Sequence, residues 1–218
     1  MSAPNNIEQR LKFGARELDL HLDDTCISRL VDYLGLVVKW NKAFNLTAIR
    51  NPEDMLNLHL LDSLAIAPHI KKLTSKRLID VGTGAGLPGV VIAIIYPQIQ
   101  VTLLDANGKK CRFLNQVKIQ LGLKNIQVIQ HRVESYQPET GFNLVVSRAF
   151  ATLRDMTDNA GHLLCEDGHF LAMKGRYPQQ ELEELRARFR FNKAQRLQIP
   201  GLDVERYLID IDIAPEHS

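Results

Sequence analysis

The sequence predicts an α/β fold: a doubly wound, mostly parallel seven-stranded sheet of Rossmann-like type, carrying an N-terminal helical cap. Three observations predict it. From Arg77 onward, short apolar runs alternate with helical patterns, which implies parallel strands joined by right-handed crossovers. A glycine-rich run follows the first apolar run, and two β-rich runs close the chain around Pro200-Gly201 as an antiparallel pair.

Residues 5–70 read as helical. Ile7, Leu11, Ala15 and Leu18 recur at helical spacing, as do Ile27, Leu30, Val31, Leu34, Val37 and Val38 behind the start signal Asp23-Asp24-Thr25. Asn51-Pro52-Glu53-Asp54 opens another helix through His59-Leu60-Leu61-Asp62 to about Ala67, where Pro68 breaks the pattern. Leu78–Val81 is the first strand, and Leu87–Tyr96 its helix with Pro88 in the first turn. Val101–Asp105 is the second strand, followed by a helix over Lys109–Leu121 that Gly122 stops. Ile126–Ile129, Phe142–Ser147 and Gly168–Met173 are the next three strands, with helices over Leu153–Leu164 and Gln179–Arg188. Ala194–Ile199 and Val204–Ile213 form the closing pair. Two parts result: a helical extension over residues 1–70 and a domain over 71–218.

The chain has 218 residues, 45% hydrophobic and 24% charged, enough to bury one sizeable core. No apolar run reaches the ~18 residues that cross a bilayer, and Met1 to Asn6 offer no basic stretch leading into an apolar one. The three cysteines, Cys26, Cys111 and Cys165, form neither a CxxC pair nor a disulfide framework, which fits a reducing cytoplasm. No His/Cys/Asp cluster has metal-ligand spacing, so no metal is expected. Net charge is only +2. The basic clusters at Lys71-Lys72, Lys76-Arg77, Lys109-Lys110-Arg112 and Arg186-Arg188-Arg190 each read first as solvated faces; several on one face would form a phosphate footprint.

The densest chemical signal is Asp80-Val81-Gly82-Thr83-Gly84-Ala85-Gly86-Leu87-Pro88-Gly89, between the first strand and its helix. In such sheets ligands bind at the carboxyl ends of the strands. A dinucleotide site wants GxGxxG, but the third position falls on Leu87, and no GxxxxGK[ST] phosphate loop is present. The spacing suits S-adenosylmethionine, which carries no phosphate: Gly82, Gly84 and Gly86 allow close approach, Asp80 suits its cationic methionine end, Asp105 can accept the ribose hydroxyls, and Glu134 can meet the adenine.

The same residues carry a family resemblance. The run Asp80–Gly89 resembles the signature of the RsmG (GidB) family. So do Leu104-Asp105 with Gly108-Lys109-Lys110-Cys111-Arg112-Phe113-Leu114, Ser147-Arg148-Ala149-Phe150-Ala151, Asn45-Leu46-Thr47-Ala48-Ile49, His59-Leu60-Leu61-Asp62-Ser63-Leu64 and Met173-Lys174-Gly175. The resemblance spans about residues 30 to 212. It implies a class I methyltransferase that uses S-adenosylmethionine to methylate guanosine N7 in small-subunit (16S) ribosomal RNA. It also implies a cytoplasmic location, the RNA or the small subunit as partner, and cofactor contacts at Gly82, Leu87, Val133, Glu134 and Arg148.

The chemistry of the residues agrees with an N7 target without proving it. Exocyclic amines usually need a D/N-P-P-Y turn after the fourth strand, and this chain has Ser147-Arg148-Ala149-Phe150 there; pyrimidine carbons need a cysteine nucleophile, and Cys165 is followed by Glu166-Asp167, which disfavour a thiolate. Arg148 is the candidate catalytic residue, against the alternative of a strand-end ion pair. Lys109, Lys110, Arg112 and Arg132 are candidates for RNA phosphate, Phe150 for stacking on guanine or for packing, and His59 for a hydrogen-bonded core histidine. The chain is expected to be a monomer with no membrane contact. A small-molecule methyltransferase and a nicotinamide-dependent oxidoreductase stand as alternatives.

Overall fold

The computed structural model describes residues 3–73 and 76–214; Met1 and Ser2, on which part of the reading of the chain's start rests, lie outside them. The strands are β1 (Arg77–Val81), β2 (Gln100–Asp105), β3 (Ile126–Gln130), β4 (Phe142–Ser147), β5 (Leu164–Lys174), β6 (Phe189–Arg196) and β7 (Tyr207–Ile213). They form one sheet in the order β3-β2-β1-β4-β5-β7-β6. The first five are parallel, and β7 runs antiparallel to both β5 and β6. The chain builds outward from β1 to β3, then returns to place β4 on the other side of β1, so the switch point lies between β1 and β4.

Helices cover both faces. α1 (Ala3–Glu17) and α2 (Asp24–Phe44) come first. α3 (Pro52–Met55) runs into a π-helical stretch (Leu56–Leu61) and α4 (Asp62–Leu64), followed by α5 (Ala67–Lys72). α6 (Gly89–Ile95) follows β1, α7 (Gly108–Gln120) follows β2, α8 (Leu153–Ala160) follows β4, and α9 (Gln179–Glu183) follows β5. Side chains alternate across each strand. Leu78, Leu103, Leu144, Val146, Leu171 and Leu208 join the core shared with the N-terminal helices, α6 and α7. Ile79, Leu104, Val145, Phe170 and Ile209 join the smaller core under α8. Every residue of α6 is buried, because this helix lies between the sheet on one side and α2 and α4 on the other. The N-terminal helices therefore complete the main core as an added layer.

The capping signals read from the sequence hold. Asp23 caps α2 by accepting from the Cys26 amide at 2.7 Å, and Asn51 caps α3 by accepting from the Glu53 amide at 3.0 Å. Several readings shift, among them the helix read over Leu153–Leu164, which ends at Ala160, and the fifth strand, which begins at Leu164 rather than Gly168. Pro68 does not end a helix: it occupies the first turn of α5, where its missing N–H costs nothing. The helix expected over Gln179–Arg188 ends at Glu183, and the sixth strand begins at Phe189 rather than Ala194. β6 is an edge strand with exposed Arg190, Phe191, Asn192 and Lys193, so it lacks the apolar run that marks a buried strand. The turn at Pro200-Gly201 is present, held by a bridge between Ile199 and Leu202.

One bond ties the helical layer to the glycine run. Tyr33 of α2 is buried, and its hydroxyl donates to the Ala85 carbonyl at 2.6 Å; burial pushes that hydroxyl's pKa well above its usual value, so it remains a donor. Tyr33→Phe is expected to cost about 1–3 kcal/mol, because the Ala85 carbonyl is left buried without its donor. Urea denaturation checks this, and a loss below about 0.5 kcal/mol would mean that the bond does not hold the loop.

Candidate functional site

The parallel strands end on one side in a cleft of about 300 Å³. Its walls come from four strand ends: Val81 and Gly82 after β1; Leu104, Asp105 and Ala106 after β2; His131, Arg132, Val133 and Glu134 after β3; Ala149 and Phe150 after β4, with Lys110 reaching in from α7. A larger cavity of about 780 Å³ lies elsewhere, among α1, α5 and the β6–β7 connection. No residue from the ends of β1 to β4 lines it, so size does not locate the chemistry.

The glycine run turns the chain sharply at the end of β1. Gly82, Gly84 and Gly86 have φ of 67°, 62° and 94°, the left-handed region that side chains rarely adopt. At Gly82 a Cβ would also lie 2.6 Å from the Ala149 Cβ, so glycine keeps this exposed stretch of backbone open toward the loop after β4. Asp80 holds the turn from inside. It is fully buried, and its Oδ2 accepts from the Thr83 hydroxyl at 2.7 Å and the Gly89 amide at 2.8 Å. Its Oδ1 has no hydrogen-bond partner among the described residues. Burial pushes this carboxyl from 3.8 up to about 7, while the bonds from Thr83 and Gly89 and the charge of Arg148 pull the other way.

Asp105 fixes the loop from the next strand. One oxygen accepts from the Gly84 amide at 2.9 Å and the other from the Asn107 amide at 2.8 Å, with the Lys110 ammonium 3.5 Å from the first. Asn107 then caps α7 by accepting from the Lys109 amide. Ser147 ends β4: its hydroxyl donates to the Val81 carbonyl at 2.8 Å and accepts from the Ala149 amide at 3.0 Å.

A second cavity of about 460 Å³ adjoins the cleft through Phe150, which lines both. Arg148, Ala151, Met173, Lys174, Gly175, Arg176 and Glu181 form the rest of its wall. Lys174 donates to the Ala151 carbonyl at 2.8 Å and pairs with Glu181 at 2.8 Å, and the same Glu181 oxygen accepts from the Leu153 amide at 2.7 Å. These bonds clamp the segment after β4. Arg148 stands 3.2 Å from the buried Asp62.

The predicted site residues thus separate. Gly82, Asp105, Val133, Glu134, Lys110 and Arg132 come together in the cleft. Asp80, Gly84, Gly86 and Leu87 do not line its wall; they shape the loop. Arg148 faces the adjoining cavity. Lys109 and Arg112 sit exposed on α7 outside both linings. His59 is the core histidine expected: it is 5% exposed, its Nδ1 bonds the Leu58 carbonyl and its Nε2 the Thr47 hydroxyl, and burial lowers its pKa. The run from His131 to Glu134, read from the sequence as following the third strand, does line the cleft; sequence reasoning missed Tyr33, Glu181 and Arg206, whose partners lie far along the chain.

The residues fit a cationic nucleoside cofactor. A buried carboxylate with an unbonded oxygen sits in the loop, the backbone is open at Gly82, and an acid ends β2. This sheet and site define a Rossmann-like S-adenosylmethionine-dependent methyltransferase. Solved structures with this fold include the 1,6-didemethyltoxoflavin-N1-methyltransferase of Burkholderia thailandensis, with S-adenosylhomocysteine bound (TM-score 0.58, 14% identity, covering 84% of this chain and 90% of that one). A SAM-dependent methyltransferase from Aquifex aeolicus is another (TM-score 0.55, 14% identity, 75% and 99%). The family model for rRNA small subunit methyltransferase G (GidB) matches residues 26–209, and the chain belongs to that family. The ribosomal RNA small subunit methyltransferase G of Hydrogenovibrio crunogenus is 50% identical over 95% of this chain and 94% of its own length. That of Ectopseudomonas mendocina is 46% identical over 96% and 97%. Family membership removes the oxidoreductase alternative. Among the described residues no helix is long and apolar enough to cross a membrane, and no group of His, Cys, Asp and Glu could hold a metal.

The raised Asp80 pKa gives a pH prediction. Its folded-state value lies above the ordinary 3.8, so its contribution to folding is full below about 4 and is lost as pH rises through about 7. A cationic ligand placed beside Asp80 would favour its ionised form. Cofactor affinity is expected to rise between about pH 6 and about 8, and Asp80→Asn is expected to flatten that rise. Calorimetry across the range checks it; an unchanged pH profile in Asp80→Asn would detach Asp80 from the cofactor's charge.

Proposed function

We propose that this chain transfers a methyl group from S-adenosylmethionine to N7 of a guanosine in small-subunit (16S) ribosomal RNA, acting as a cytoplasmic monomer. Residues 1–70 serve as an extension that completes the domain over 71–218. The observation that carries the proposal is the pair of adjoining cavities that share Phe150: one lined by strand-end acids, the other by Arg148, Lys174 and Arg176. The names of the relatives supply the RNA, and the family resemblance supplies N7.

When bound, S-adenosylmethionine supplies an electrophilic methyl group on a sulfonium. Asp80, Gly82, Gly84, Gly86, Leu87, Asp105, Val133 and Glu134 hold and shape its site, with Arg148 at the border between the cavities. Phe150 offers a face for the target base. Arg148 and Lys174 bring positive charge toward the RNA, and Lys109, Lys110, Arg112 and Arg132 carry its phosphates on the side of β2 and β3.

No residue has to remove a proton. Guanine N7 carries a free lone pair and no proton, so it would accept the methyl group without a base, and the purine would take up the positive charge that the sulfonium gives up. The side chains present agree. Cys111 is buried, its thiol donates to the Asp105 carbonyl at 3.3 Å, and burial raises its pKa. Cys165 is near the start of β5, at the end of the sheet away from the cleft. Catalysis then rests on alignment of N7 with the methyl group.

Two outcomes are expected. Small-subunit rRNA from cells lacking the gene should lack one 7-methylguanosine by mass spectrometry. Wild-type protein should restore it, and Arg148→Ala, folded but slowed by about a hundredfold, should not restore it fully; an unchanged modification pattern in the deletion would overturn the substrate. Single-turnover rates at saturating RNA and cofactor should stay nearly flat from about pH 6 to about 9, where a histidine base would titrate. A tenfold rise with binding unchanged would mean that a proton is removed, and N7 would be the wrong atom.

A further inference from the structure

Asp62 begins α4 in the N-terminal helices, and its side chain is 1% exposed. It meets arginines from two distant parts of the chain. The Arg206 Nε, from the connection between β6 and β7, donates to Asp62 Oδ1 at 2.6 Å. The Arg148 guanidinium, just past β4, approaches Oδ2 to 3.2 Å without hydrogen-bond alignment, so that Oδ2 makes no hydrogen bond. Asp62 therefore holds Arg206 tightly and Arg148 loosely. Arg148 lines the second cavity, and Arg206 stands against its wall: a Cβ on Gly175, a wall residue, would lie 3.5 Å from the Arg206 guanidinium. Of the other ionisable groups in that wall, Lys174 is paired with Glu181, and Arg176 is an exposed cation. The nearby His59 has its pKa lowered by burial and by the charge of Arg148, which favours its neutral form.

We propose that Asp62 is a positioning residue for methyl transfer: it holds Arg148 at the acceptor cavity and offsets enough of its charge for the cavity to accept a cationic product. The inference rests on the reading that guanosine N7 is the acceptor and that Arg148 faces it. Methylation at N7 leaves a positive ring where a neutral one stood. A bare pair of arginines beside that ring would oppose the charge as it develops, and opposition between like charges grows as water is excluded. One carboxylate between the two arginines halves their net charge from +2 to +1. The poorly aligned contact also leaves most of the Arg148 N–H donors for RNA, since a guanidinium has five. A fully engaged bidentate pair would consume them, and a free Arg148 could fork onto guanine O6 and N7 together and cover the atom that must react.

The test is steady-state kinetics on small-subunit RNA with Asp62→Asn, Arg206→Met, Arg148→Ala and the double variant Asp62→Asn/Arg148→Ala, with melting temperature and RNA affinity measured for each. Asp62→Asn should lower kcat about tenfold or more while the KM for RNA stays level or falls, because the cavity gains net positive charge. In the Arg148→Ala background, Asp62→Asn should change kcat by less than about twofold, because its effect runs through Arg148. Arg206→Met should lower the melting temperature, raise the KM for RNA and leave kcat within about threefold, since Asp62 still serves Arg148; this arm stands even if Asp62→Asn does not fold. A merely structural Asp62 would lower the melting temperature and leave the kcat of the folded enzyme unchanged, which overturns the proposal. Equal losses of kcat from Asp62→Asn with and without Arg148 overturn it as well, as does a collapse of kcat in Arg206→Met at unchanged KM. Wild-type turnover in Arg148→Ala alone would instead remove the reading of Arg148 on which the inference rests.

Discussion

The carboxylate of Asp80 organises the turn on which the cofactor cleft depends. One oxygen receives the Thr83 hydroxyl and the Gly89 amide, joining the end of β1 to the first residue of α6 across the glycine run. Gly89 must be glycine because a Cβ there would run into Leu103 and the same carboxylate. Once that bond closes, the loop between has little freedom left. Tyr33 takes the Ala85 carbonyl from the helical layer, and Asp105 takes the Gly84 amide from the neighbouring strand. Three side chains from three elements thus hold a loop with three left-handed glycines. They offset the conformational cost of residues that lose more freedom on folding than any others.

Charge is spread unevenly over the two cavities. Asp80 lies inside the loop after β1, and Asp105 and Glu134 stand on the cleft wall beside Lys110 and Arg132. Past β4 and β5, Arg148, Lys174 and Arg176 line the second cavity with Glu181 as its one carboxylate. Phe150 stands at the border with no charge of its own. The clamp of Lys174 and Glu181 on the segment after β4 keeps that border in place.

Much of the fold was legible because a parallel sheet writes itself plainly. Its central strands are buried on both faces and read as apolar runs, and β1, β2, β4 and β5 are each followed by a helix. The closing antiparallel pair was legible through Pro200-Gly201, but the start of β6 was not. Arg190, Asn192 and Lys193 lie on an exposed edge, so that strand carries no buried run to read. The π-helical turn over Leu56–Leu61 was also hidden, because its residues keep an apolar helical texture while the register slips. In the site, the glycine loop and Asp105 were legible because a local spacing encodes them. Tyr33 and the Asp62–Arg206 pair were not, since those partners are brought together only by tertiary packing.

The helical layer accordingly does more than cover the sheet. Tyr33 bonds the glycine loop beside the cleft, and Asp62 meets Arg148, which lines the second cavity. The fold is shared with solved structures at 14% identity, among them a 1,6-didemethyltoxoflavin-N1-methyltransferase. A shared sheet cannot select a substrate, so selection has to come from what is grafted onto it. Here the graft is a layer packed against α6, with polar anchors that include Tyr33 and Asp62, one on each side of the strand-order switch between β1 and β4. Loosening either anchor would act through what it bonds: Tyr33 through the loop backbone, Asp62 through a charge. That division follows from the kind of bond each makes, a neutral hydroxyl to a carbonyl in one case and a buried ion shared by two arginines in the other.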